Sequence, residues 1–171
     1  AQVYREMKDN DPIVGSILYA IKTLVRQTNW RVEATGDDPR HAEMAEFVES
    51  CVADMSLTWG DFVSEVLSFL PFGWSYFEIL YKVRKGDTKD GKASSKHNDG
   101  KVGWRKFGVR AQDTLMRWEI DDEGGVQGLW QSAAPTFDLR FIPIEKALLF
   151  RTETSKGNPE GRSILRNAYR S

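Results

Sequence analysis

Three arginines near the end of the chain are spaced so that one helix would place them on one side. Arg162, Arg166 and Arg170 recur every four residues, and side chains four residues apart on a helix are neighbours. Guanidinium groups form paired, oriented hydrogen bonds with carboxylates. The row is therefore interpreted either as a solvated helix face or as a contact surface for another subunit. The second interpretation makes these three residues candidates for a subunit interface.

Few other residues are arranged for chemistry. Glu78 lies in an apolar segment, where a carboxylate buried alone could act as a general base, although such a group more often pairs with an arginine; we predict the structural pair. His41 and His97 have no carboxylate or cysteine at a recognisable ligand spacing. Cys51 lies in an apolar helical pattern, which predicts a buried thiol. The sequence indicates no catalytic centre, no metal site and no cofactor.

The composition is that of a folded chain with balanced charge. The 171 residues are 40% hydrophobic, and 24 basic residues face 25 acidic ones. A free-standing duplex-binding domain usually has a basic excess, so this class is disfavoured. One cysteine excludes an internal disulfide and suits a reducing compartment. No apolar run approaches the roughly 20 residues of a membrane span, which predicts no membrane association.

The first 71 residues are predicted to be mainly helical, with three helices. Asp11-Pro12 and Asp38-Pro39 each place a capping residue before a proline at the first helical position. Thr58, with an acidic residue three positions later, resembles a capping box and starts the third helix, which Pro71 should close. Between the first two helices, alternation at Trp30, Val32 and Ala34 predicts a short strand.

Residues 72–151 are predicted to be mainly strands in an antiparallel meander. Alternation over Trp74–Val83 indicates a strand covered on both sides. Residues 85–101 lack large apolar side chains and are predicted to be a mobile loop. Further strands are predicted at residues 104–112, 115–120, 126–131, 137–141 and 147–151. Helices followed by strands give an α+β class in a single domain.

Residues 152–171 are predicted to be a loop followed by the start of a helix. Gly157–Arg162 lacks the lysine and hydroxyl ending of a nucleotide phosphate loop, though the backbone N–H groups of a helix start could bind an anion. No stop signal follows the apolar positions of this helix. We therefore expect a truncated helix, and a chain that is a piece of a larger protein.

Several segments, taken in order, resemble the N-terminal part of tailed-bacteriophage portal proteins, in the Mu-like branch. They are the sequence of residues 4–30, FGWSYFEILY at 72–81, GLWQ at 128–131, IPIEKALLFR at 142–151 and GNPEGRSILRNAYRS at 157–171. Residues 85–101 and 132–137 do not contribute. The positions that carry the resemblance are Asp11, Pro12, Phe72, Gly73, Glu78, Gln131, Pro143, Gly157, Pro159, Gly161 and Arg162.

The resemblance implies a structural, non-enzymatic subunit of a ring, usually a dodecamer, at one vertex of the capsid. Double-stranded DNA would pass through the ring during packaging and ejection. The implied partners are further copies of the chain, a terminase motor, capsid or scaffold proteins and a tail adaptor. The implied location is the virion, with host cytoplasm during assembly. The matched region would be the wing-type part, and Gly161 onward would approach the channel-lining stem.

Two other functions stay open from the residues alone. One is a metal-dependent nucleic-acid-processing or hydrolytic domain, which would need Glu78 and other carboxylates to converge in one pocket. The other is an interaction domain whose loop at residues 85–101 captures a partner.

Overall fold

The computed structural model describes residues 2–155 and 157–169. The fold is mixed α+β, with helices first and two three-stranded antiparallel sheets after them, which confirms the predicted class. The chain divides into two compact units. Unit 1 is formed by the described parts of residues 1–26, 63–78 and 108–171, and unit 2 by residues 27–62 and 79–107.

The described part of the chain contains four helices of eight residues or more, one more than predicted. They are α1 (Gln2–Asn10), α2 (Pro12–Arg26), α3 (Pro39–Ala53) and α4 (Trp59–Val66), and a four-residue helix α5 (Phe69–Phe72) follows them. The predicted start of α2 is confirmed, because Asp11 Oδ1 accepts hydrogen bonds from the N–H groups of Ile13 and Val14 at 2.9 and 3.1 Å. Asp38 caps α3 in the same way, through the N–H of Arg40 at 2.9 Å.

Two predictions for the helical half were wrong. Residues 29–34 form no strand and pair with none of the described strands. Trp30 packs instead against Trp59, at 6.1 Å between ring centroids. The third helix ends at Val66 rather than at Pro71. Pro71 lies in the first turn of α5, where a missing N–H breaks no helical hydrogen bond.

The strands match the predicted ones closely, but their pairing differs from a single meander. Their bounds are β1 (Trp74–Val83), β2 (Val102–Arg110), β3 (Leu115–Ile120), β4 (Val126–Ser132), β5 (Leu139–Pro143) and β6 (Ala147–Arg151). One sheet has the order β2-β1-β6 and the other β3-β4-β5. Only the second sheet is a meander. In the first sheet, β1 pairs with β6, the last strand in the sequence, in the register Trp74↔Arg151 to Glu78↔Ala147.

The core of unit 1 lies on the inner face of the β3-β4-β5 sheet. Trp74, Tyr76, Leu129 and Ile142 form its fully buried cluster. Trp118 packs edge-on against Trp74, with ring centroids 5.0 Å apart. Tyr76 is completely buried and donates its hydroxyl hydrogen bond to the carbonyl of Ile142 at 3.0 Å. This bond satisfies the only polar atom of the side chain and ties β1 to the edge strand β5.

The core of unit 2 is aromatic. Phe62 and Phe107 lie 4.9 Å apart between ring centroids, and Trp59 and Trp104 extend the cluster on either side at 5.2 Å. Cys51 is buried in the same unit, which confirms the predicted buried thiol.

Residues 85–101, predicted as a loop, contain no helix or strand, and the segment is closed at its base by backbone hydrogen bonds. The N–H of Arg84 donates to the carbonyl of Lys101 at 2.9 Å, and the N–H of Gly86 donates to the carbonyl of His97 at 2.8 Å. The middle of the segment is held by Asp54, the residue after α3, whose carboxylate accepts from Ser95 Oγ at 2.6 Å. The predicted mobility of this segment stays a prediction, but its base and middle are anchored.

The end of the described chain differs from the prediction. Ile164–Asn167 form a four-residue 3-10 helix rather than the start of an α-helix. Of the predicted apolar stripe, Leu165 is buried, whereas Ile164 and Tyr169 are exposed. One buried side chain in four residues fixes a single turn and provides no continuous apolar face for a longer helix to pack.

Candidate subunit-interface site

The segment that carries the predicted arginines is held against the start of β1 by two glycines. Gly73 has a φ of +91°, and a Cβ built on it would lie 1.9 Å from the carbonyl oxygen of Gly161. A Cβ on Gly161 would lie 2.2 Å from the carbonyl oxygen of Gly73. The two backbones are in direct contact, so only glycine fits at either position. This explains in physical terms why both residues belong to the motifs identified in the sequence.

Thr152 and Ser163 complete this attachment. The N–H of Thr152 donates to the carbonyl of Gly73 at 3.0 Å, and its hydroxyl lies 2.6 Å from the carbonyl of Arg162. The buried hydroxyl of Ser163 donates to the carbonyl of Pro71 at 2.6 Å and accepts from the N–H of Leu165 at 3.1 Å. Ser163 thus caps the 3-10 helix and fixes it to α5. None of these contacts involves the side chain of Arg162 or Arg166, so the local backbone is held independently of both arginine side chains.

Arg162 and Arg166 are both exposed and line one polar cavity of about 370 Å³ in unit 1. Arg162 precedes the 3-10 helix and Arg166 lies within it, so the two side chains share one cavity although no α-helix carries them. Their role at a subunit interface stays a prediction. Arg170 lies outside the described residues. The other polar residues of the cavity wall are Tyr4, Gln112, Asn158, Glu160 and Ser163.

The cavity wall holds its own polar side chains in place. Arg162 Nη2 donates to Asn167 Oδ1 at 2.6 Å, and Glu160 accepts from the indole N–H of Trp118 at 3.3 Å. Gln112 donates to the carbonyl of Trp74 at 2.8 Å. A guanidinium pair in such a cavity can bind a carboxylate or another anion. It offers no nucleophile with an adjacent base, which acyl or phosphoryl transfer would need.

Glu78, the candidate general base, is half-buried and bound to the guanidinium of Arg110. The predicted structural pair is therefore confirmed, and the isolated buried carboxylate needed for a base is not what the structure contains. Burial, with a smaller contribution from the charge of Arg140, lowers the pKa of Arg110. Within residues 2–155 and 157–169, no group of three or more His, Cys, Asp or Glu side chains could hold a metal ion. The hydrolytic alternative lacks the converging carboxylates that it required.

The other motif positions have structural roles or lie on the surface. Asp11 and Pro12 start α2, and the ring of Phe72 lies 6.0 Å from Lys8 Nζ. Gln131 is buried and accepts from Thr114 Oγ1 at 3.4 Å. Pro143 ends β5 and lies opposite Gly128. Gly157 is exposed and has a φ of +70°, and Pro159 is buried.

The sequence reasoning missed a buried ion pair in unit 2. Lys82 Nζ lies 3.0 Å from Asp54 Oδ2, and the two side chains are 4% and 2% exposed. Lys82 also donates to the carbonyls of Asp54 and Ser94, at 2.6 and 2.8 Å. A lysine at an alternating position of a strand with bulky side chains on both faces was the available signal, because such a lysine must find a partner if it is covered.

The chain matches, over residues 1–171, the family model described as the portal protein of Mu bacteriophage. It therefore belongs to the Mu bacteriophage portal protein family, a structural family, as its sequence motifs predicted. A comparison with curated proteins gave no match. Among the described residues, no helix combines the length and apolar character needed to cross a membrane.

Proposed function

We propose that this chain is the wing-type part of a structural subunit in a phage or prophage portal ring, through which double-stranded DNA is packaged and ejected. The family match along the whole chain is the observation that supports this proposal. The ring, a dodecamer in this proposal, would occupy one capsid vertex. It would meet a terminase motor, capsid or scaffold proteins and a tail adaptor, with assembly in the host cytoplasm.

The Arg162–Arg166 cavity supports a role in assembly rather than in catalysis. Two exposed guanidinium groups sit on a backbone fixed by the Gly73–Gly161 contact, which keeps them oriented. Oriented guanidinium groups at a surface suit a carboxylate of a neighbouring subunit. In the proposed ring, the side chains of Arg162 and Arg166 contact the adjacent copy.

The ring is tested with the complete gene product at assembly concentrations. Negative-stain images and mass photometry should show a closed oligomer. A product that stays monomeric in both measurements would refute the ring proposal.

The arginine contact is tested with the double variant Arg162→Ala/Arg166→Ala. Exposed charges contribute at most about 1 kcal/mol each to folding, so the variant should melt near the parent protein but assemble more weakly. The matched control is Arg31→Ala/Lys89→Ala, which removes the same charge from exposed positions. If both variants assemble like the parent, the cavity is not a subunit contact.

The alternative of a partner-capturing loop has one supporting observation, the exposed tip of residues 89–92. Deleting residues 88–93 from the complete product removes this tip and keeps the anchored base. A portal protein should still form rings after the deletion. Loss of binding to a phage or host protein, with rings intact, would favour the interaction-domain function for this segment.

A further inference from the structure

Helix α2 presents an apolar stripe to the outside of unit 1. Ile13, Ile17 and Leu24 are 71%, 55% and 68% exposed, and Ala20, also exposed, lies between them. The intervals of four, three and four residues place these side chains in one narrow row along the helix. The row spans about 16 Å at the rise of an α-helix.

Charge does not interrupt this stripe. Lys22 is the only charged residue of α2 before Arg26, and it lies roughly 170° around the helix from the stripe, at 100° per residue. A surface helix ordinarily directs charged and polar side chains outward. A contiguous exposed apolar surface of this kind marks a contact with another macromolecule.

The outer face of the β3-β4-β5 sheet carries a second surface, which we call the Trp130 face. It consists of the partly buried Trp130 and the exposed residues Arg117, Phe141, Leu139 and Phe137. The strand register aligns Arg117, Trp130 and Phe141 in one row across the three strands. Their neighbours Trp118, Leu129 and Ile142 face the core, so the row points away from it. Trp130 lies 5.2 Å from Phe141 between ring centroids, and the guanidinium of Arg117 lies 5.2 Å from the Trp130 ring.

This face is held rigid. The indole N–H of Trp130 donates to Glu119 Oε2 at 2.7 Å. Gly128 leaves room for the neighbouring aromatic ring, because a Cβ there would lie 2.8 Å from the ring of Phe141. A surface whose side chains are fixed in advance loses little conformational entropy when it binds.

Phe137 extends the Trp130 face under backbone strain. It has a φ of +56° and is 66% exposed. Its N–H donates to the carbonyl of Ala133 at 2.9 Å, and its carbonyl accepts from Ser132 Oγ at 2.8 Å. The left-handed region is unfavourable for a bulky residue, and such strain concentrates at functional sites. Here it displays an aromatic ring to the outside.

We propose that the α2 stripe of one copy packs on the Trp130 face of the next copy, in a head-to-tail contact. The contact gives the proposed ring its apolar component and so rests on the proposed function. A helix on the face of a sheet is a standard way to bury both. The stripe is long enough to cross three strands, which span about 10 Å between the outer two. Trp and Arg residues near the centre of an interface carry much of its binding energy, and the Trp130 face contains one of each.

A second copy is the occupant that the two surfaces favour. Within unit 1, each copy exposes both the α2 stripe and the Trp130 face, and the two differ in shape. In a head-to-tail contact, the helix stripe of one copy meets the sheet face of the next, so both surfaces are covered in every copy. Head-to-tail contacts close into rings when the rotation between copies permits.

The test uses two variants of the complete gene product that each damage one surface. The helix variant is Ile13→Asp/Ile17→Asp and the sheet variant is Leu139→Asp/Phe141→Asp. Each alone should lose rings, with association weakened at least about 100-fold, as expected for buried anchors at an interface. Mixed in equal amounts they should form 1:1 heterodimers in mass photometry, because one intact helix stripe then meets one intact Trp130 face.

The controls separate interface loss from misfolding. Met44→Asp places one negative charge, against two in each test variant, at another exposed apolar residue, 65% exposed on α3, and should leave rings intact. If the sheet variant melts well below the parent, Phe137→Asp replaces it, because Asp tolerates the left-handed backbone.

Three results would overturn the contact. Rings formed by both variants would show that neither surface joins copies. Rings lost in both variants without heterodimers in the mixture would show that the two surfaces do not meet each other. A parent protein that never forms a ring would refute the proposed function together with this contact, whereas the first two results refute the contact alone.

Discussion

Replacing Asp54 with asparagine should release the middle of residues 84–101 in unit 2. The carboxylate of Asp54 accepts from Lys82 Nζ at 3.0 Å, from Ser95 Oγ at 2.6 Å and from the N–H of Lys96 at 2.7 Å. The substitution keeps the size of the side chain but removes its charge. Lys82 then remains buried with only neutral oxygen acceptors, which include the main-chain carbonyls of residue 54 and Ser94.

The size of the effect follows from the burial of the pair. Removing one partner of a buried ion pair costs about 3–5 kcal/mol, because the other charge is left without compensation. The two remaining carbonyls reduce this penalty, so we expect about 3 kcal/mol. For local opening this corresponds to an increase on the order of 100-fold in the open population.

Hydrogen exchange at the amides of Ser95, Lys96 and His97 measures this opening directly. All three N–H groups are hydrogen-bonded in the native chain. They should exchange on the order of 100-fold faster in Asp54→Asn. The matched control is Asp90→Asn, the same change at an exposed aspartate of the same segment, which should alter exchange at these amides very little.

The same carboxylate predicts a dependence on pH. Burial acts to raise the pKa of Asp54, but the hydrogen bonds from Ser95 and Lys96 and the interaction with Lys82 outweigh it and lower the pKa below its ordinary value of 3.8. A lowered pKa means that the stabilisation is complete above the ordinary value and is lost as the pH falls through the native value. Protection should therefore persist to pH 4 and decline below it.

Unchanged exchange in Asp54→Asn would refute this reasoning. It would mean that Lys82 reaches solvent or a new partner at negligible cost. A double variant, Asp54→Asn/Lys82→Met, provides an independent measure, because it removes both charges. Its loss of stability should be smaller than the sum of the two single losses.

Three further changes test the attachment of the chain end and the buried tyrosine. Gly161→Ala places a Cβ 2.2 Å from a backbone oxygen and should lower the free energy of unfolding by about 2–3 kcal/mol in urea titrations, whereas Gly91→Ala, with open space around it, should be near neutral. Ser163→Ala loses a cap and a buried hydrogen bond and should cost about 1–2 kcal/mol; an equal loss in exposed Ser155→Ala would contradict this. Burial, with a smaller effect of Glu145, raises the pKa of Tyr76 to about 12. The stabilisation provided by the protonated Tyr76 hydroxyl is complete below pH 10 and declines above it. The free energy of unfolding should therefore fall by about 2–3 kcal/mol as the pH approaches 12, and this fall should be absent in Tyr76→Phe.

Elements with local signals were predictable from the sequence. Asp11 and Asp38, each before a proline, set the starts of α2 and α3 through their own side chains, without help from distant residues. The alternation of residues 74–83 depends on the two faces of one strand, and β1 has these bounds. Glu78 was expected to pair with an arginine and does so.

Features that depend on distant partners were not predictable. Alternation at residues 30–34 resembled a strand, but none of the described strands pairs with these residues. Sheet membership depends on the pairing of β1 with β6, which lies about 70 residues away in sequence and has no local signal. The arginine positions were identified from their spacing, whereas the fixed backbone beneath them depends on Gly73 and Gly161, which are far apart in the chain.

The closed base of residues 84–101 makes this segment a convenient place for engineered labels. The backbone bonds at Arg84–Lys101 and Gly86–His97 would keep the two ends together whatever is inserted between them. Gly91 has no atom within 4 Å of the position a Cβ would take, and loop length adds only about 0.6 kcal/mol per doubling to the entropy of closure. An affinity peptide or fluorophore grafted at Gly91 should therefore report on a portal particle while leaving both folded units undisturbed.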